Sequence, residues 1–397
     1  MVGVREAVRE LPLRLLDEFA PRKGASKQGG KEHSDRLDCS AETPEPPSSL
    51  PGTDEMTAHE LEITAHALVA PGKGILAADE SHGTIEKRFK SINIANTEDH
   101  RRAYRDMLFT TPGAAEFISG VILFDETIRQ KALDGTPFPK MLASRGIIPG
   151  IKVDAGTVNL PGSTTEKRTQ GLDGLRERLA EYKTLGARFA KWRAVITIGD
   201  GIPSRHCLAD NATALATYAA LCQEQGIVPI VEPEVLMDGG HTLERCHEVT
   251  DATLRTVFAA LNERGVVLER MLLKPNMVIS GKECKTQATT QQVAEATVAC
   301  FRHTVPAAVP GIVFLSGGQT SAQATANLSA MNAIGPHPWQ LSFSYGRALQ
   351  DEALKAWKGV AQNVSAGQKA FFNRSKMVSA ARSGRYSEKM ERELVTA

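Results

Sequence analysis

GILAADE (74–80) is a short apolar run that ends in two acids, Asp79 and Glu80, and seven more such runs follow it along the chain. They are EFISGVILF (116–124), IPGIKVD (148–154), FAKWRAV (189–195), IVPIVEPEV (227–235), RMLLKPNMV (270–278), GIVFLSGG (311–318) and QLSFSYGRAL (340–349). Six of the eight carry an ionisable group at or near the C-terminal end: Asp79 and Glu80, Lys152 and Asp154, Lys191 and Arg193, Glu232 and Glu234, Lys274, and Arg347. The other two are 116–124, followed by Asp125-Glu126, and 311–318, which holds Ser316. Helical patterns separate most of these runs, and strand–helix alternation implies a parallel sheet. Eight such units predict an α/β fold, the closed (β/α)8 TIM barrel, whose active sites lie at the C-terminal strand ends. The ionisable residues stand where that architecture puts chemistry.

Composition narrows the classes further. The chain has 397 residues, enough for one barrel plus extra helices, and its 42% apolar share is ordinary for a globular protein. A net charge of +1 gives no global field for nucleic acid or an anionic membrane. No apolar run approaches the ~20 residues of a membrane span. Six cysteines are scattered without a CxxC pair, which argues against a disulfide scaffold or a zinc–cysteine site and suits a reducing compartment.

The first 55 residues differ in kind. A short amphipathic helix interrupted by Pro12 is expected over 1–20, and 21–54, rich in Pro, Gly, Ser and charge, reads as disordered. No sustained apolar segment marks a secretory signal, and Glu6, Glu10, Asp17 and Glu18 count against a transit peptide. A cytoplasmic location is therefore expected ahead of a plastid one. The expected organisation is a disordered extension over 1–55 and a barrel with a C-terminal helical tail over 56–397, with Met56 an alternative start.

Helices are expected over 97–108, with Thr97 as N-cap, and over 169–186, 211–226 and 242–265, each of these three closing on a glycine. Further helices are expected over 290–303, 321–335 and 351–381.

Lys274 lies inside an apolar run, where a charged ammonium is costly unless paired. Lys152 and Lys191 sit on other inward-pointing strand ends, and three lysines at one mouth would repel one another as cations. A lysine that is neutral part of the time is a nucleophile suited to a Schiff base with a carbonyl. Taken singly, each lysine can equally be read as snorkelling to solvent. Three on separate strands with acids interleaved favour chemistry. Glu232 and Glu234 lie two apart and share a strand face, and Asp79 ends the first strand. Carboxylates near lysines can supply the base and the acid that imine formation needs, or simply pair with Lys191 and Arg193.

Ser316-Gly317-Gly318 after the seventh run, and Ser344-Tyr345-Gly346-Arg347 at the end of the eighth, stand where barrels often bind phosphate. Glycines expose backbone N–H groups and arginine adds a bidentate charge. Lys152 and Arg88, expected on the other side of the mouth, offer a second anion grip. Two grips suggest a bisphosphorylated substrate. The histidines form no HxH or HExxH cluster, so no metal ligand set is expected.

Together GILAADESHGTIEKR, GIKVD, FAKWR, VPIVEPE, LLKPNMV, FLSGGQ and SYGRALQ resemble the class I fructose-1,6-bisphosphate aldolases, from about Thr57 to about Tyr386. The resemblance implies reversible aldol cleavage of fructose 1,6-bisphosphate to dihydroxyacetone phosphate and glyceraldehyde 3-phosphate, in glycolysis and gluconeogenesis. It implies Lys274 as the Schiff-base lysine and Glu232 as the acid/base in forming it. Asp79 would be the carboxylate at C3–C4 cleavage, and Lys191 the lysine that keeps the set in its working protonation states. By the same resemblance Ser316, Gly317 and Arg347 match the C1-phosphate grip, with Ser344 and Gly346 beside it. Lys152, Ser81 and Arg88 match contacts to the C6 phosphate or substrate hydroxyls, Arg193 and Glu234 match further site positions, and Thr84 stands where a serine is common. It further implies no cofactor or metal, sugar bisphosphate and triose phosphates as the small-molecule partners, and a homotetramer.

A Schiff-base enzyme for sedoheptulose or tagatose bisphosphate, a metal-dependent barrel lyase and a non-catalytic scaffold are the other readings weighed. Two departures from the family pattern stand out. Many animal and plant members end in a tyrosine that assists proton exchange, whereas this chain ends Glu393-Leu394-Val395-Thr396-Ala397, with Tyr386 eleven residues from the end. The long N-terminal extension is the other.

Overall fold

In the computed structural model, residues 53–393 are described. The expected helix over 1–20, all but the last two residues of the disorder expected over 21–54, and the last four residues lie outside them. Among the described residues there are ten strands: β1 (Gly74–Ala77), β2 (Ile118–Leu123), β3 (Ile148–Lys152), β4 (Thr157–Asn159), β5 (Lys167–Thr169), β6 (Phe189–Ile196), β7 (Val228–Val235), β8 (Leu272–Leu273), β9 (Gly311–Phe314) and β10 (Gln340–Tyr345). Eight of them close a parallel barrel in the order β1-β10-β9-β8-β7-β6-β3-β2, while β4 and β5 form an antiparallel hairpin of their own. Each of the eight apolar runs therefore contributes one barrel strand.

Side chains alternate along each strand, so every second residue points into the barrel. On β6 the alternation puts Phe189, Lys191 and Arg193 on one face and Ala190, Trp192 and Ala194 on the other. Phe189 packs with Ile75, Ile122, Val228, Ile230, Leu272 and Val313 in an inner apolar cluster, while Ala190, Trp192 and Ala194 belong to the outer core shared with the helices. Helix Thr53–Leu68 adds Leu61, Ala65 and Leu68 to the inner cluster, and Val69 follows just past its end. The barrel interior is thus filled by apolar side chains near the strand starts and by charged ones near the strand ends. Phe189 needs space that two glycines provide. A Cβ at Gly150 would come within 2.5 Å of the Phe189 ring, and one at Gly120 would lie 2.6 Å from Leu68 and 3.1 Å from that ring.

Several helix boundaries match the expected signals. Thr97 caps its helix as expected, its side-chain oxygen accepting the N–H of His100; Thr242, expected as a helix's first residue, is instead its cap and accepts the N–H of Arg245. Gly186, Gly226 and Gly265 all hold positive φ, the left-handed conformation that favours glycine after a helix.

Other boundaries differ from expectation. The first helix begins at Thr53, three residues ahead of Met56. The helix expected over 169–186 spans only Leu175–Thr184, because Thr169 pairs with Thr157 in the hairpin and Gly171 and Gly174 both hold positive φ. The helix expected from 211 already begins at Arg205, where Ser204 accepts the N–H of Cys207. The long helix expected over 351–381 is two, Arg347–Trp357 and Val364–Ala381. Lys358 and Gly359, both at positive φ, break it. The run at 270–278 is buried from Met271 onward, but its strand is only Leu272–Leu273. Lys274 stands just past it and still donates its N–H to Val231 O, whereas Pro275 has no N–H to continue the ladder. The last strand stops at Tyr345, so Arg347 heads a helix and does not end a strand.

Candidate active site

The strand register brings the charged residues together. Lys152 on β3 stands opposite Lys191 on β6, and Arg193 on β6 stands opposite Glu232 on β7. Asp79 lies two residues past β1, and Lys274 one past β8. Lys191 is buried, with Nζ 2.9 Å from Asp79, 3.4 Å from Glu232 and 3.5 Å from Asp154. Glu232 reaches the other way as well, its Oε1 being 3.2 Å from Lys274 Nζ. Lys152 Nζ lies 2.5 Å from Asp154 Oδ1. Three lysines and three carboxylates thus form one connected group.

Its electrostatics follow from this interleaving. Burial opposes the charge on Lys191, but Asp79, Glu232 and Asp154 outweigh it and hold the ammonium well above the usual lysine range. Burial likewise pushes Asp79 up, yet Lys191, Lys274 and Lys152 together hold its carboxyl well below the usual carboxylate range. Asp154 is lowered too, with burial overcome by Lys191 and Lys152. The repulsion among lysines expected from sequence is therefore largely met by acids. Arg193 forms a close ion pair with Glu234, which overcomes burial and raises the guanidinium further.

A cavity of about 650 Å³ opens over this group, and the candidate catalytic and substrate-binding residues line it, whereas Gly318 and Tyr345 of the two anion segments do not. Lys274, Glu232, Asp79 and Lys191 form its base. Ser316, Gly317, Ser344, Gly346 and Arg347 form one wall. Ser344 Oγ is buried without a hydrogen-bond partner, and the Arg347 guanidinium donates to Gly317 O. Ser81 and Thr84, 3.2 Å apart through their hydroxyls, stand at the rim.

Arg88 is placed differently from expectation. It pairs with Glu80 at 2.8 Å and its Nη2 lies 3.5 Å from where a Cβ on Gly346 would be. It therefore stands beside the turn that carries Arg347. The reason is closure of the barrel: β1 and β10 are neighbours, so the helix after β1 packs beside the turn after β10.

Two residues that the sequence reading left out of the site belong to its support. Asp154 bridges Lys152 and Lys191; its signal was the two-residue spacing from Lys152, which places both on one face. Glu80 is buried and clamps Arg88 and Arg105, with Oε2 2.5 Å from Arg105. No local pattern separates Glu80 from its neighbour Asp79; only the direction each side chain takes does. Tyr386 Oη is 2.8 Å from Glu391 Oε1 and does not line the cavity.

Among the described residues, no group of three or more His, Cys, Asp or Glu side chains is placed to hold a metal ion. No helix among them is long and apolar enough to cross a membrane.

The sequence model described as "Fructose-bisphosphate aldolase class-I" matches residues 60–396. A relative named "Probable fructose-bisphosphate aldolase class 1" from Xanthomonas campestris pv. campestris is 61% identical over 322 residues, covering 81% of this chain and 96% of the relative. The "Fructose-bisphosphate aldolase, cytoplasmic isozyme" of Spinacia oleracea is 54% identical over 330 residues, covering 83% of this chain and 92% of that one. Among solved structures, the fructose-bisphosphate aldolase of Plasmodium falciparum, titled as a complex with TRAP and a small-molecule inhibitor, matches with a TM-score of 0.83. It is 52% identical and the match covers 86% of this chain and 98% of that chain. With the barrel, the lysine–carboxylate group and a family match over most of its length, this chain belongs to the class I fructose-bisphosphate aldolases, lyases that cleave the sugar bisphosphate through a lysine Schiff base.

Proposed function

We propose that Lys274 is the nucleophile of this aldolase and that Glu232 moves the protons for it. The observation that carries this is the buried Lys274 Nζ, 3.2 Å from Glu232 Oε1 at the floor of the cavity. Neutral Lys274 attacks the ketone carbon C2 of fructose 1,6-bisphosphate. Glu232 protonates the carbinolamine hydroxyl, water leaves, and an iminium remains. When the C3–C4 bond breaks, its electron pair flows into the iminium to give an enamine, and a carboxylate takes the C4 hydroxyl proton. Glyceraldehyde 3-phosphate departs. Protonation of the enamine at C3 and hydrolysis of the imine then release dihydroxyacetone phosphate and restore Lys274.

Asp79 faces the same floor and stays ionised because Lys191, Lys274 and Lys152 outweigh its burial. It is suited to orient the C4 hydroxyl and to stabilise positive charge as the iminium forms. Lys191, gripping Asp79, Asp154 and Glu232 at once, fixes where these carboxylates point. Ser316, Gly317, Ser344, Gly346 and Arg347 form the C1-phosphate grip. Arg88 stands beside Arg347, and Lys152, Ser81, Thr84, Arg193 and Glu234 line the remainder, where the C6 phosphate and the hydroxyls bind. The reading is metal-independent, because the covalent nitrogen serves as electron sink, and it extends to a cytoplasmic homotetramer.

Borohydride added with dihydroxyacetone phosphate should reduce the imine, inactivate the enzyme and leave the label on Lys274 by peptide mass mapping. Label on Lys152 or Lys191 alone would overturn the assignment. The same reaction and the uninhibited turnover should both survive EDTA; a loss restored by zinc would move the chemistry to a metal.

A further inference from the structure

The anion grip contains two consecutive glycines, Gly317 and Gly318, and such a segment samples many backbone conformations unless something pins it. It is anchored on its inner flanks. Leu315 N–H donates to Pro275 O at 3.1 Å, and the Gln319 side-chain amide donates to Ser316 O at 3.3 Å. Its outer side rests on another loop. Gly318 N–H donates to Met237 Sδ at 3.0 Å, and that sulfur stands 3.7 Å from where a Cβ on Gly317 would lie and 2.8 Å from one on Gly318. The Lys282 stem packs on Gly318 as well, its Nζ lying 2.6 Å from the same Cβ position.

Met237 is itself held. Its carbonyl accepts the N–H of Lys282 at 2.8 Å, and Lys282 Nζ pairs with Asp238 at 2.8 Å. The loops after β7, β8 and β9 therefore meet at one methionine. Met237 does not line the cavity, so it does not touch substrate. Its sulfur occupies the Gly318 N–H and leaves the Ser316–Gly317 face turned toward the cavity.

Resting on the reading of Ser316, Gly317 and Arg347 as the C1-phosphate grip, we propose that Met237 is a positioning residue that holds this loop in its gripping shape. A thioether suits the task. It is a weak acceptor, but polarizable and unbranched, so it fills the irregular gap over two glycines. Holding the loop before substrate arrives removes part of the ordering cost of binding.

The test compares fructose 1,6-bisphosphate with fructose 6-phosphate, which lacks the C1 phosphate. Met237→Leu keeps the bulk and removes the acceptor; Met237→Ala removes both. For the bisphosphate, KM should rise about 2–10-fold in Met237→Leu, the range of one lost hydrogen bond, and further in Met237→Ala. Turnover should change by less than about twofold, and fructose 6-phosphate should be unaffected, since a lost ground-state contact acts on KM. Arg347→Ala is measured alongside. If it separates the two substrates while Met237→Leu behaves like the parent or weakens both equally, the positioning role is overturned and the grip stands. If Arg347→Ala fails to separate them, the grip itself falls and this proposal with it. Should Met237→Ala not fold, Met237→Leu decides alone, because a volume-conserving swap of this kind is well tolerated.

Discussion

Lys191 touches three carboxylates within 3.5 Å and lies at the centre of the site's charge balance. Its neighbour Asp79 has a folded-state pKa below its unfolded value, which is ~3.9. The stability this contributes is complete above the unfolded pKa and is lost as pH falls through the folded one. Asp79→Asn should therefore be most destabilising, relative to the parent, above about pH 5. The gap should shrink steadily below about pH 4. Urea unfolding at pH 7 and at acid pH measures this, and a gap independent of pH would show that the carboxylate charge is not what stabilises the pair. Arg347 tests the proposed phosphate grip. A charge-assisted contact is worth about 1.5–3 kcal/mol, so Arg347→Ala should lower kcat/KM for a bisphosphate about 10–150-fold. Arg347→Lys should recover only part, because the charge returns without the planar fork. A substrate without a C1 phosphate should lose much less; equal losses on both would make Arg347 a residue of the fold or of the chemistry.

Elements set the distances that these residues cannot set alone. Lys191 and Glu232 face each other because β6 and β7 pair in parallel over eight residues with fixed register. A slip of one residue would turn both out of the barrel. The register is supported from below by Phe189, which sits on the Lys191 face and fills the space left by Gly150 and Gly120. Gly150→Ala should therefore cost about 1–3 kcal/mol by overpacking against that ring. Phe189→Leu should be destabilising in its own right, yet the two together should cost less than their sum, since they share one volume. Additive losses in chemical denaturation would show that Gly150 is needed for its backbone and not for the space.

At the scale of the molecule, the family match begins at residue 60, and helix Thr53–Leu68 adds its apolar side chains to the inner cluster of the barrel. A chain begun at Met56 loses only the first three residues of this helix. It should keep its melting temperature and kcat, because Leu61, Ala65 and Leu68 remain. A large drop in either would mean that the residues before Met56 contribute to the fold.

The barrel itself was legible in the chain because each strand is a short apolar run buried on both faces, and burial of that kind leaves a local signature. Thr97, Gly186, Gly226 and Gly265 were legible for a similar reason: caps and left-handed turns are conditions on one or two residues. The candidate lysines and Glu232 could be named from their own runs, since a lysine or glutamate at an apolar strand end is anomalous wherever the strand lies. Other features depended on neighbours distant in sequence. Sequence placed Arg88 opposite Arg347, but closure of β1 onto β10 puts the two on one side of the mouth. Nothing local distinguishes Asp79, which enters the cavity floor, from Glu80, which turns away to clamp two arginines. The break at Lys358-Gly359 and the hairpin at 157–169 gave no periodic signal. Nor does any feature around Met237 announce a sulfur bond to Gly318, eighty-one residues away. Apolar burial and backbone caps are encoded residue by residue, whereas ion pairing and loop-to-loop contact exist only once the barrel has closed and brought strand ends from the whole chain to one mouth.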